Sequence, residues 1–215
     1  MTRPQRLRMT IDITMTILSI ILMGGNYLFP ADLVHEILGV GLFVLWGLHI
    51  ALNRRWYGAI LRGKYNPYRV MQTVINCCIL ICTIFLMISG IILSNHIFTF
   101  LNIQGGLGFA RLAHLLASHW YYLFMSLHIG LHVGRLFQNI TAKIIPCIIL
   151  ALVCAYGIYA FIARGMWKYL ILQQQFFFFD LERSYILFAI DYISIIILFA
   201  ALSHLLAKSL KKSKL

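Results

Sequence analysis

Two pairs of histidines in this 215-residue chain share one spacing: His35 with His49, and His114 with His128. In a helix, fourteen positions separate two side chains by about 21 Å along the axis and leave them within roughly 40° of one face. Among the 8 histidines, chance supplies only about a quarter of a pair at any one given spacing. Both pairs also lie in apolar runs, where an ionisable side chain is costly and usually functional. Two such helices side by side present four imidazoles at two depths, a ligand set for two stacked, flat, metal-bearing macrocycles. Each would be held by one histidine from each helix. No C-x-x-C-H motif is present for covalent attachment, so the macrocycles expected are two haems of the b type, held by axial ligation and packing. With imidazole on both faces, the iron has no open position, which favours electron transfer over oxygen chemistry.

The residues around the pairs fit that chemistry. The face from His35 passes through Gly39, Leu42 and Trp46 to His49, and the face from His114 passes through Ser118, Tyr121 and Met125 to His128. Gly39 and Gly47 on one run, with Gly130 and Gly134 on the other, would let a macrocycle approach the backbone. Trp46 and Tyr121 are placed for the space between two haems, or for ordinary core packing. Arg111 is the candidate propionate partner at the outer level, and Arg54, Arg55 and Arg135 are those at the inner level. His132, one turn beyond His128, is either an alternative inner ligand or a propionate partner. His119 lies about 140° off the His114 face and is not expected to be a ligand; His96 and His204 fall near the ends of apolar runs.

The helices that carry these residues must sit in a membrane. Hydrophobic residues make up 61% of the chain and charged residues 11%, more apolar surface than a soluble domain of this size can hide from water. The net charge of +12 is spread in short clusters between apolar runs, the pattern of membrane loops and not of a nucleic-acid surface. All 5 cysteines fall inside apolar runs without the spacing of a zinc or iron–sulfur site, and read as small packing residues.

Six spans are expected, at 10–29, 33–53, 70–94, 112–136, 144–163 and 185–207. The basic start followed by an apolar run resembles a leader, but small residues are lacking at both positions of a cleavage site, so it is read as a retained first span. The fold expected is an all-α integral membrane protein. Residues 10–136 form a four-helix core for two haems, and 137–207 add a helix pair with an aromatic external segment at 164–184. Short tails, 1–9 and 208–215, stand at the ends. Of the 18 Lys and Arg residues, only Arg111, Arg164, Lys168 and Arg183 fall on one side of this arrangement. That side is external and both termini are cytoplasmic. The second and fourth spans are then parallel, so His35 pairs with His114 and His49 with His128.

In the last third, Trp167, Tyr169, three glutamines and Phe176 to Phe179 suggest an interfacial helix, a docking surface for an external redox partner, or a lid on a quinone pocket. Asp191 lies inside the sixth span, where a carboxylate is either paired or used in proton uptake from a quinol.

The H-E-x-x-G motif beginning at His35, the run from His49 to Trp56, the run from Ala113 to Trp120, and the H-x-G-x-H motif from His128 to His132 resemble the flavinylation-associated cytochromes of bacteria. The resemblance covers the four-span core and extends through the stretch from Arg164 to Asp180. It implies a bis-haem b subunit of the cytoplasmic membrane, with His35, His49, His114 and His128 as iron ligands. It also implies electron flow toward an extracytoplasmic protein bearing covalently bound FMN. His119 departs from the bulky aromatic residue expected between Ser118 and Trp120. The donor would be a quinol or a cytoplasmic reductase, with quinone a candidate further cofactor. No nicotinamide or flavin domain is read in the chain, which makes it an electron-transfer subunit and not a complete enzyme. Two alternatives remain open: a quinol-oxidising anchor of a larger oxidoreductase, and a transporter of metal or haem with the histidines as transient ligands.

Overall fold

The computed structural model describes residues 3–28, 31–178 and 184–212, without the side chains of residues 3, 4, 26, 27, 135 and 212. Among the described residues the regular structure is entirely helical. The helices are α1 (Arg3–Leu22), α2 (Asp32–Leu52), α3 (Arg54–Ala59), α4 (Pro67–Leu93), α5 (Leu107–His132), α6 (Gly134–Thr141), α7 (Ile144–Ala163), α8 (Met166–Leu170) and α9 (Tyr185–Lys212). Two short 3₁₀ turns, Gly25–Leu28 and Thr99–Leu101, lie between long helices.

Four of these helices, α2, α4, α7 and α9, are long and apolar enough to cross a bilayer. The other two expected spans are helical but more polar. α1 begins in the basic segment and carries Arg6, Arg8 and Asp12, while α5 carries four histidines with Arg111, Ser118 and Ser126. Their boundaries also differ from those expected. α1 ends at Leu22, seven residues early. α5 runs from Leu107 and stops at His132, and a new short helix then starts at Gly134.

The core lies where α5, α7, α8 and α9 meet, with Tyr122, Met125, Ala160, Met166, Tyr192 and Ile195 among its buried residues. α4 packs along α5 and also touches α9. Small residues set the closest approaches. A Cβ at Gly130 would run into the carbonyl of Ala200, and one at Gly157 would stand 2.6 Å from the carbonyl oxygen of Ser194. α5 and α7 therefore both pack backbone-close on α9, as helices do where dispersion and not water expulsion holds them.

An ion pair ties α7 to α9 at one end of the bundle. Arg164 Nε donates to Asp191 Oδ2 at 2.8 Å, and Tyr156 Oη donates to Asp191 Oδ1 at 2.6 Å. The Asp191 side chain is 1% exposed and that of Arg164 10%. The carboxylate inside the expected sixth span is thus paired, which accounts for its burial.

The aromatic external segment is mostly not the interfacial helix expected of it. Only Met166–Leu170 is helical, after which the chain runs irregularly through 178, with Leu172 at a φ of 55°. The segment folds back on Tyr169, whose hydroxyl accepts from Gln174 Nε2 at 2.8 Å and from the Phe178 N–H at 3.2 Å. Burial pushes the Tyr169 phenol above its ordinary range. The glutamines and aromatics here satisfy this local fold in place of a helical ladder. Phe179, Asp180 and Glu182 lie outside the described residues.

Candidate functional site

α2 is unusual in the bundle because none of its residues is buried. It packs on α1 and reaches α4, and polar contacts hold it at both ends. At the His35 end, expected to be the outer one, the Glu36 carboxylate accepts from Ser94 Oγ at 2.6 Å. It also accepts from the backbone N–H groups of Asn95 at 2.8 Å, Ile97 at 2.9 Å and His96 at 3.3 Å. At the His49 end, expected to be the inner one, Arg8 donates to the Leu52 carbonyl at 3.0 Å. These anchors fix the height of α2 against α4, and so against α5.

At that height the four histidines meet two by two. His35 and His114 have ring centroids 6.4 Å apart with planes at 60°, and His49 and His128 have centroids 6.3 Å apart with planes at 73°. Both pairs can form together only if α2 and α5 run parallel. Two imidazoles bound in line through Nε2 to opposite sides of one metal ion, at the usual bond of about 2.0–2.1 Å, have centroids roughly 6.3 Å apart. The two spacings match that value.

The other ring nitrogens are already engaged in three of the four cases. His49 Nδ1 lies 2.7 Å from Asp12 Oδ1, His128 Nδ1 2.8 Å from Asn76 Oδ1, and His114 Nδ1 3.0 Å from Ser89 Oγ. A carboxylate and an amide oxygen only accept, so His49 and His128 carry their proton on Nδ1. Ser89 donates to the Phe85 carbonyl at 2.6 Å, so it accepts from His114. In the neutral form of each of the three this tautomer leaves Nε2 with its lone pair, the state a metal ligand needs, and ring orientation is fixed from behind. His35 Nδ1 is buried and, among the described residues, has no hydrogen bond of good geometry, with the Gly25 backbone beside it.

α4 supplies Asn76 and Ser89, thirteen positions apart, or about 20 Å of helix. That rise matches the separation of the two histidine levels, and its direction is antiparallel to α5, so Asn76 serves the inner level and Ser89 the outer. Asp12, Asn76 and Ser89 were absent from the sequence-based site. The available signal was the presence of an amide and a carboxylate inside apolar runs.

Between α2, α4 and α5 at the outer level is a cavity of about 660 Å³, bordered by His35, His114, Gly39, Gly90, Trp46 and Arg111 among others. Its size falls within the roughly 300–1,000 Å³ of cofactor-sized sites. A Cβ added at Gly39, Gly41 or Gly47 would meet nothing within 4 Å, and one at Gly90 would meet only His114 Cε1 at 3.8 Å. Gly130 and Gly134 serve α9 instead, standing against Ala200 and His204. Their expected role beside a macrocycle is replaced by helix packing.

Trp46 and Tyr121 both border the outer cavity, and Tyr121 Oη lies 3.4 Å from Ser19 Oγ. Arg111 is exposed at its rim. Arg54 and Arg55 are exposed in α3, and the Arg135 side chain lies outside the described residues. His132 stacks obliquely against His128, with centroids 4.5 Å apart. His119 is 1% exposed; its Nδ1 donates to the Leu115 carbonyl at 2.8 Å, and its ring stacks on Tyr169 at 4.2 Å. It packs the outer segment onto α5, a role for which a flat ring suffices and which accounts for an aromatic being expected there.

Among the described residues, no group of three or more His, Cys, Asp or Glu side chains could hold a metal ion. A bare ion at either level would find two imidazoles, short of the four protein ligands of a structural zinc site. A porphyrin brings four equatorial nitrogens and needs only two axial ones. At the His35/His114 level the donor set and the cavity, bordered by Gly39 and Gly90, therefore fit haem; at the His49/His128 level the donor set alone does. Comparisons of the chain with models of protein families, with curated proteins and with solved structures find no match.

Proposed function

We propose that this protein is a transmembrane cytochrome b that relays single electrons between two bis-histidine haems. The observation that carries the reading is the pair of imidazole–imidazole spacings, 6.4 Å and 6.3 Å, repeated at two levels of one helix pair. His35 and His114 hold the outer haem, and His49 and His128 the inner one. When bound, each haem supplies reversible one-electron chemistry with no open coordination position.

The chain's own residues supply the rest. Asp12, Asn76 and Ser89 hold the Nδ1 protons of three ligands and orient the rings, Glu36 keeps α2 in register, and Arg111 is placed for an outer propionate. Arg54, Arg55 and Arg135 remain the candidates for the inner propionates. His132 beside His128 is placed to contact the inner group in place of ligating it.

In this reading α1 and α5 complete a six-span arrangement, with Asp12 of α1 and His114 and His128 of α5 at the two sites. Both termini face the cytoplasm of a bacterial cell, and electrons come from a quinol or a cytoplasmic donor. The acceptor is an external protein, for which the resemblance noted above favours one bearing FMN. The test is a reduced-minus-oxidised spectrum with pyridine haemochrome quantitation of the purified protein. About two low-spin b haems per chain are expected; none, in folded protein made with haem supplied, overturns the proposal.

A further inference from the structure

The two levels do not have equivalent surroundings. At the inner level His49 is hydrogen-bonded to a carboxylate at 2.7 Å and His128 to an amide oxygen at 2.8 Å. At the outer level His114 has a hydroxyl at 3.0 Å, and His35 has only the Gly25 backbone beside it, with no hydrogen bond of good geometry at Nδ1 among the described residues. A partner that pulls on the Nδ1 proton makes the imidazole a stronger donor through Nε2, and a carboxylate does so more than an amide, a hydroxyl or nothing. Stronger axial donation favours the oxidised metal and lowers its reduction potential.

Other charges do not undo this ranking. The outer cavity is bordered by Asp32, Glu36 and Arg111. Asp32 and Glu36 stand within electrostatic reach of His35, but among the described residues neither hydrogen-bonds a ring nitrogen; Glu36 is held by four donors from the loop after α4, and Arg111 is of opposite sign. At the inner level Asp12 acts directly on a ligand and stands within electrostatic reach of His128 and His132. Arg8, on the same helix, is engaged with the Leu52 carbonyl.

We infer that Asp12 is a positioning residue of the inner site. Its carboxylate makes His49 the most electron-donating of the four imidazoles and holds the inner level at a lower potential than the outer. The inference rests on the two-haem reading and gives it a direction, from the His49/His128 level to the His35/His114 level. Transfer of one electron along that direction oxidises the inner level by one and reduces the outer by one, with no bond made or broken at Asp12.

The experiment is a potentiometric titration of the haem-loaded protein, followed in the visible bands, for the wild type, Asp12→Asn and Asn76→Asp. Two midpoints are expected in the wild type, the lower of which disappears in His49→Ala. In Asp12→Asn the lower midpoint rises, changing the reduced-to-oxidised ratio about tenfold at fixed ambient potential, or about 59 mV for one electron, while the upper one stays. In Asn76→Asp, which adds a carboxylate at the partner ligand, the lower midpoint falls. An unmoved lower midpoint in both variants, or loss of the upper midpoint in His49→Ala, overturns the inference while leaving the two-haem reading intact. Absence of haem from the wild type overturns both.

Discussion

The four ligand candidates were readable as single residues, because a histidine in an apolar run is conspicuous and its repeat at fourteen positions is not accidental. The residues behind them were not. Asp12, Asn76 and Ser89 come from helices other than those of the histidines they serve, and nothing in their spacing points to a ring nitrogen 2.7–3.0 Å away. At this scale the expectation is that His49→Ala leaves one haem per chain, the outer one. His35→Ala leaves the inner one. Haemochrome stoichiometry checks this. Loss of both haems, or of neither, from variants that keep their helical circular dichroism would show that the histidines do not act as independent pairs.

Elements add constraints that no residue carries alone. α2 contributes two of the four imidazoles yet buries none of its residues, so its position depends on Glu36 at one end and on Arg8 and Asp12 at the other. α7 and α9 are joined instead by a buried ion pair and by the close approach at Gly157. Removing one member of such a pair leaves an uncompensated charge out of water, at a cost of about 3–5 kcal/mol. Asp191→Ala should therefore lower the thermal unfolding midpoint in detergent substantially, while Asp191→Asn, which keeps hydrogen bonds to Tyr156 and Arg164, lowers it less. Because α9 packs on α5 away from the cavity, the spectrum of any haem retained should be unchanged. A spectral shift in Asp191→Asn would place this carboxylate in the redox machinery and not in the scaffold.

The whole molecule is a bundle in which α5 is the shared wall. It packs through Gly130 on α9 and also along α4, and its His114 and His128 meet the histidines of α2. α5 is more polar than the four helices long and apolar enough to cross a membrane. Its polar side chains are spent on interior contacts, with Tyr122 Oη donating to the Tyr192 carbonyl at 2.7 Å and Ser126 to the Tyr122 carbonyl at 2.7 Å. On the proposed six-span reading, the two ends of the chain lie on one side of the membrane, the side expected from its Lys and Arg to be cytoplasmic. Reporter fusions at the N-terminus and C-terminus should both give cytoplasmic signals. Opposite signals would mean that α1 or α5 does not cross, and that α2 and α5 meet by another topology.

The sequence by itself determined the helical class, the apolar helices suited to a membrane, and the four histidines with their two levels along the helices, because periodicity and hydropathy are local properties written along one strand of chain. Charge placement added the parallel direction of the two histidine helices. Only the tertiary structure decided which side chains stand behind each imidazole. It also decided that Gly130 and Gly134 pack on α9 and not beside a macrocycle, that Asp191 is neutralised by Arg164, and that the external aromatic stretch folds back on Tyr169. Each of those depends on the distance between residues remote in sequence. Hydrogen bonds and charge pairs act over a few ångströms, and such distances are set by helix packing, not by spacing along the chain.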